Sequence, residues 1–389
     1  MAGTPAADLV YLDHAASTPM RPEAIAAMLP FLDVQFANPS GSHRFARQAR
    51  AALDDARDVV AAVVGCRPGD VVFTAGGTEA DNTAIVGTVA RHGGTAVCAA
   101  TEHHAVLHAV EQVGGVVVGV DRFGHIDLDQ LEAVLAGAAA GEHPPVSVVS
   151  VMAVNNEVGT VNDLAVVAAL VRRWQPAALV HTDAVQAACW VDLHTVTPHV
   201  DLMSLSGHKF GGPKGIGVLV VREGVTFAPL LVGGGQERER RSGTQNVAGA
   251  VALAEALRLA HLEREAEGVR IAGLRDALVD GLVAAVPNLV ETVPRAHKVA
   301  GSAHVCISGV ENEALLFLLD DAGVCASAAS ACAAGAMEPS HVLAAMGVDR
   351  AWAAGALRLT LGRTTTAADV DRAVSVVAAA VARVREFSA

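Results

Sequence analysis

The chain has 389 residues, 52% of them apolar and 18% charged, and carries a net charge of −13. That length argues for two or three domains, or one large domain with a satellite, and the composition supplies a large core and excludes a disordered chain. No long unbroken apolar run and no sustained basic block occurs, which excludes a transmembrane helix and makes nucleic acid a poor partner.

The start, Met1 to His14, has no basic stretch followed by an apolar one, so no secretory signal is read there. Cys66, Cys98, Cys189, Cys306, Cys325 and Cys332 form no CxxC pair. They read as reduced thiols of a soluble cytoplasmic protein, not as a disulfide frame.

Short valine-rich runs then alternate with longer helical patterns. Strands are expected at Val71–Phe73, Ala96–Cys98, Val116–Val118, Val146–Val151, Leu179–Thr182, Leu202–Ser204 and Ile216–Val221. Several are almost wholly apolar, as strands buried on both faces should be. Helices fit between them, among them Asp127–Leu135 and Asp163–Arg173. This is the rhythm of βαβ units around a mainly parallel sheet.

Around Gln245–Glu263 a long Ala/Leu helix begins and the rhythm changes. A strand at His304–Ile307, a helix at Glu311–Asp321 and a strand at Leu357–Leu361 follow. Val370, Val374, Val377, Val381 and Val384 recur at four-and-three spacing, the apolar stripe of a last helix. We expect a large α/β domain over residues 15–261 and a smaller α+β domain formed by 1–14 with 262–389.

The expected strands end just before polar clusters, and ligands of open α/β sheets bind outside the carboxyl ends of strands. Lys209 follows one strand and precedes Phe210-Gly211-Gly212-Pro213-Lys214-Gly215; it is either a surface lysine in a turn or an amine for a Schiff base with a carbonyl cofactor. Asp183 ends another strand, 26 residues earlier. Its alternatives are a helix cap and a carboxylate that keeps a pyridine nitrogen protonated, as pyridoxal phosphate (PLP) requires. Gly76-Gly77-Thr78 stands between a strand and a helix, where free amides and a hydroxyl can cradle a phosphate. Glu102-His103-His104 marks a third strand end, with an imidazole able to stack on a ring and move protons. No third ligand stands at a spacing suited to metal, so no metal site is read there. Cys332 sits among small residues, Ser330 to Gly335, either inert or accessible and reactive as the thiolate. Five cysteines read as structural, and Cys325 is expected to point into the small domain's core.

Taken together these stretches resemble the group I, NifS/IscS-like cysteine desulfurases, PLP enzymes of fold type I in the class V aminotransferase family. The resemblance runs through Tyr11–Pro19, Asn38–Ser40 with His43, Phe73–Ile85, Thr101–Val106, Val154–Thr160, His181–Gln186, Ser204–Gly217, Gly233–Asn246, Ser330–Cys332 with Glu338–Leu343, and Leu357–Thr366. It implies a large domain with a mainly parallel seven-stranded sheet and a smaller domain carrying the cysteine loop. It also implies Lys209 as Schiff-base lysine, Asp183 as partner of the pyridine nitrogen, and His103 as the stacking ring. Gln186 and Asn156 would lie around the phenolic oxygen and the substrate carboxylate. Gly77, Thr78, Ser206 and His208 would form the phosphate cup, and Thr244 would reach the phosphate of a second subunit in a homodimer. Arg358 would clamp the carboxylate of L-cysteine, for which a guanidinium is well suited, and Cys332 would carry the persulfide.

His14, Ala328 and Ala329 depart from residues common at these places in the family. The chain ends at Ala389, before the tail of housekeeping Isc-type members, which leaves the sulfur acceptor open: an iron–sulfur scaffold, a tRNA thiolation enzyme or a biosynthetic sulfur carrier. Rival readings are another fold type I PLP enzyme, such as a selenocysteine lyase, an aminotransferase or a kynureninase-like lyase, and a silent scaffold that keeps the fold.

Overall fold

The computed structural model describes residues 9–328 and 340–388. Its first half runs β1 (Val10–Tyr11), α1 (Pro22–Leu32), α2 (Arg44–Val64), β2 (Val71–Thr74), α3 (Gly77–His92), β3 (Thr95–Ala99), α4 (His104–Gln112), β4 (Val116–Val118), α5 (Leu128–Ala139), β5 (Val146–Ser150) and α6 (Leu164–Trp174). Next come β6 (Leu179–Asp183), α7 (Leu193–Val196), β7 (Leu202–Ser206), β8 (Gly217–Val221) and α8 (Val247–Ala285). The chain closes with β9 (Leu289–Glu291), β10 (Ser302–Ile307), α9 (Asn312–Asp321), β11 (Val324–Cys325), α10 (His341–Ala345), α11 (Arg350–Ala353), β12 (Ala356–Thr360) and α12 (Ala367–Ser388).

Seven strands form one sheet in the order β2-β8-β7-β6-β5-β3-β4. All neighbours pair in parallel except β8, which is antiparallel to both β2 and β7. This is the α/β architecture expected from the alternating pattern. Strands β2, β3, β5, β7 and β8 are buried along their whole length, as helices on both faces require. Strand β4, at one edge of the sheet, is the exception to the expected burial: Val116 and Val117 are exposed, although β2 at the other edge is covered.

Two smaller sheets lie apart from it, antiparallel β12-β10-β9 and parallel β1-β11. They share an apolar cluster with α12, whose Val370, Val377, Val381 and Val384 are buried on one stripe. Helix α8 is a single element of 39 residues. The expected boundary at 261/262 falls inside it. Its first half buries Leu253 and Leu257 under the large sheet, its second half Leu278 and Leu282 in the cluster of the small sheets. In β11 the alternation buries Val324 and leaves Cys325 half-exposed, so Cys325 does not point into the core as expected.

Candidate active site

The carboxyl ends of β2, β3, β5, β6 and β7 converge on a cavity of about 360 Å³, within the range of small-ligand sites. Register aligns the strand ends: Ser150 opposes His181, and Asp183 opposes Ser204. Of the residues singled out in the sequence, Gly77, Thr78, His103, Asn156, Asp183 and Gln186 line this cavity. Ser206, His208, Lys209 and Arg358 line it as well. Thr244 does not; it is exposed on the loop before α8. Cys332 lies outside the described residues.

One end of the cavity is an N-terminus. Helix α3 starts at Gly77, directly after β2, and its first amides have no carbonyl within the helix to bond. A Cβ on Gly77 would stand 2.8 Å from Val185 Cγ2, and one on Gly217 would stand 2.7 Å from Gly76 Cα. Only glycines let the backbone close this cup. His208 Nδ1 and Ser17 Oγ share a hydrogen bond at 3.3 Å, and burial lowers the His208 pKa to about 4. The imidazole is therefore neutral near pH 7.

Asp183 closes β6 at the floor. Its Oδ1 accepts from Val185 N at 2.8 Å. Burial raises its pKa, opposed by the nearby His103 and Lys209. Behind it lies a buried polar chain: Ser150 Oγ bonds His181 Nδ1 at 2.8 Å, and His181 Nε2 bonds Ser204 Oγ at 3.0 Å. Burial holds His181 near a pKa of about 3, so it is neutral. Asp81, on α3, reaches the same chain with one carboxyl oxygen left unpartnered among the described residues. Burial first, and then the neighbouring Asp183, drive its pKa well up.

His103 caps α4 by accepting from Ala105 N at Nδ1, 3.1 Å away. Neutral His103 thus carries its proton on Nε2. Lys209 follows β7, and its Nζ donates to the carbonyls of Ala15 at 2.5 Å and Ala16 at 3.1 Å. Burial, then Arg358, lowers its pKa to about 8, against the pull of Asp183 and Asp13. An amine so poised is unprotonated more often near neutral pH than a surface lysine, and so more available as a nucleophile. Gln186 Nε2 donates to Ala15 O at 2.8 Å, which fixes the same segment.

The opposite wall comes from the small sheets. Arg358 on β12 donates from Nη1 to Asn156 O at 3.1 Å and from Nη2 to Asp13 Oδ1 at 2.8 Å. Glu157 accepts from Ser340 Oγ, and burial raises its pKa to about 7. His341 Nε2 bonds the Glu102 carbonyl at 3.0 Å. Asp13, Asp81, Glu157 and His341 were given no role in the sequence reading, although each lies within a stretch that carried the resemblance. Their signal is charge or hydrogen-bonding capacity inside an apolar context.

These residues fit PLP. A helix N-terminus with hydroxyls and neutral imidazole suits a phosphate. A buried carboxylate at the floor suits a ring nitrogen, and a lysine of lowered pKa lines the same cavity. Among the described residues no cluster suited to a metal ion occurs.

A mainly parallel sheet with such a site at its strand ends defines the architecture of a fold type I PLP enzyme. The chain belongs to the aminotransferase class-V family, whose model matches residues 10–373, and within it to the NifS/IscS-like cysteine desulfurase group. It is 42% identical over 388 residues to an IscS-like cysteine desulfurase of Mycobacterium tuberculosis, covering 97% of each chain. It is 41% identical to a cysteine desulfurase of Gluconacetobacter diazotrophicus, covering 97% of this chain and 95% of the relative. A solved NifS-like protein superposes with a TM-score of 0.88 at 32% identity, over 96% of this chain and 100% of that one.

Proposed function

We propose that the protein is a PLP-dependent cysteine desulfurase that converts L-cysteine to L-alanine and passes the sulfur, as a persulfide on Cys332, to an acceptor thiol. The observation that carries this reading is the convergence of Lys209, Asp183, the α3 N-terminus and Arg358 on one cavity. The cysteine desulfurase relatives at 41% and 42% identity support it.

Gly77, Thr78, Ser206 and His208 would hold the cofactor phosphate, Asp183 its ring nitrogen, His103 its face and Lys209 its aldehyde carbon. Bound PLP supplies an electron sink for the substrate's Cα. Arg358 and Asn156 orient the substrate carboxylate, and Lys209 takes the Cα proton and delivers it back within the cavity. The Cys332 thiolate attacks the substrate sulfur. An S–S bond forms as the Cβ–S bond breaks, the bonding pair stays on the carbon fragment, and protonation of that fragment yields alanine. An acceptor thiolate then takes the outer sulfur, leaving the Cys332 thiolate.

The proposal extends to a homodimer in which exposed Thr244 meets the partner's phosphate, to a division into residues 15–261 against 1–14 with 262–389, and to a cytoplasmic setting. No helix among the described residues is long and apolar enough to cross a membrane. Iron–sulfur cluster assembly is one destination for the sulfur.

Mass spectrometry after exposure to L-cysteine tests the reading. Cys332 should gain one sulfur, and alanine should appear with it. Alanine release that survives Cys332→Ala would assign the chain to another PLP chemistry, and neither product would favour a silent scaffold.

A further inference from the structure

The carboxylate of Asp13 has no part in the reading above, yet it makes the shorter of the two hydrogen bonds that hold the Arg358 guanidinium. The two are 345 residues apart in sequence and meet at 2.8 Å. Their side chains are 21% and 8% exposed, so the pair is largely shielded from solvent and weakly screened. Arg358 Nη1 is held separately by the Asn156 carbonyl at 3.1 Å, whereas Nε is buried with no partner among the described residues.

A guanidinium is planar and carries five donors in a fixed fork. Two acceptors on different Nη atoms therefore fix its plane and its rotation together. Three donors remain, Nε–H and one N–H on each Nη, in a residue that lines the cavity. The backbone around Asp13 is secured without its carboxylate. Thr360 pairs with Asp13 in a bridge, His14 N bonds Thr360 O at 3.3 Å, and Tyr11 Oη donates to Asp13 O at 3.1 Å. The side chain is thus spare for strand pairing.

We infer that Asp13 is a positioning residue: it holds Arg358 so that the guanidinium's remaining N–H groups are presented to the carboxylate of the amino-acid substrate. The inference rests on Arg358 being the carboxylate clamp of the proposed desulfurase. Asp13 touches neither substrate nor cofactor and acts through Arg358 alone. A clamp left to swing would lose orientation in the bound complex, which raises KM with little change in kcat.

The test uses the loaded enzyme with two readouts, steady-state kinetics with L-cysteine and calorimetric binding of the product L-alanine, which bears the same carboxylate. Asp13→Ala should raise the KM for cysteine and the Kd for alanine by about tenfold while kcat stays within about threefold. Asp13→Asn keeps an acceptor oxygen for Nη2 and should return both constants to within about threefold of the parent. Asp13→Ser, which also withdraws the acceptor from reach, serves where the alanine variant does not fold. Unchanged constants in Asp13→Ala or Asp13→Ser would overturn the inference. So would an Asp13→Asn variant as impaired as Asp13→Ala, since charge and not orientation would then be at work. Arg358→Ala in the same assays separates the levels. If it binds alanine normally, the clamp reading fails and the role of Asp13 falls with it. If it binds weakly while Asp13→Ala is normal, only the role of Asp13 falls.

Discussion

The floor and the side wall of the cavity are built on different principles. The floor is made by neighbouring strand ends of one mainly parallel sheet: register sets Asp183 opposite Ser204, and Lys209 follows just after the end of β7. The wall is made by ion pairs and hydrogen bonds between distant segments, such as Asp13–Arg358 and Ser340–Glu157. On the floor burial decides protonation, as neutral His181 and His208 show. On the wall, partners decide orientation. Catalytic power should therefore reside in the floor and substrate affinity in the wall.

The most severe way to break this contrast is Lys209→Ala. It should abolish cysteine-dependent alanine formation and remove the visible absorbance of the purified protein, because no second amine occupies the end of β7. Retained turnover would show that the floor does not carry the chemistry. Asp183→Asn comes next. A neutral amide cannot hold a ring nitrogen protonated, and turnover should fall by roughly 10³-fold with cofactor still bound. Near-normal rates would reduce Asp183 to a cap on the turn at Val185.

Much of the floor was legible in the sequence because each strand is a compact apolar run followed at once by its functional residue. All seven strands of the large sheet fall where the valine pattern placed them, shifted by a residue or two at the ends. The wall was not legible in the same way. Nothing local in the segment around Asp13 announces a contact with Arg358, since that contact depends on β1 and β12 lying together in space. The long helix α8 carries no local mark of the passage between clusters for a related reason: a helix that serves two cores has no internal break. The loop before α8 also hid its nature. Glu237, Arg238 and Glu239 all have positive φ, at 48°, 58° and 65°, a conformation that costs a non-glycine residue energy and that no sequence pattern foretells.

That turn offers a sharper comparison within the large domain. Glu237 is buried and accepts two hydrogen bonds from Arg57, one from Phe73 N at 3.0 Å and one from Gln245. One carboxylate thus ties β2, which leads into the phosphate cup, to the loop that presents Thr244. Arg57 is as deeply buried as its partner. Glu237→Ala strands that cation and should destabilise the fold by about 3–5 kcal/mol, read by thermal or urea unfolding. A loss below about 1 kcal/mol would mean that the pair contributes no more than a surface pair does.

The smallest effect tests whether burial acts on the wall's sheet as it does on the floor. His304 lies on β10, wholly buried, with Nδ1 bonded to Thr292 Oγ1 at 2.7 Å. Burial first, then Lys298 and Arg358, lower its pKa from 6.5 to about 3. In the unfolded chain the imidazole takes up a proton once the pH falls below about 6.5, and the folded chain does not follow until about pH 3. The unfolded state then binds more protons, so stability drops on acidification through that window. His304→Gln has no proton to gain in either state. Between pH 7 and pH 5 the native protein should lose about 2 kcal/mol more than this variant, at roughly 1.4 kcal/mol per unit below pH 6.5. The difference between the two proteins is the quantity to measure, because His181 and the buried carboxyls titrate alike in both. Parallel stability curves over this range would mean that His304 gains its proton in the folded state, and that the sheet of the wall is less dry than the floor.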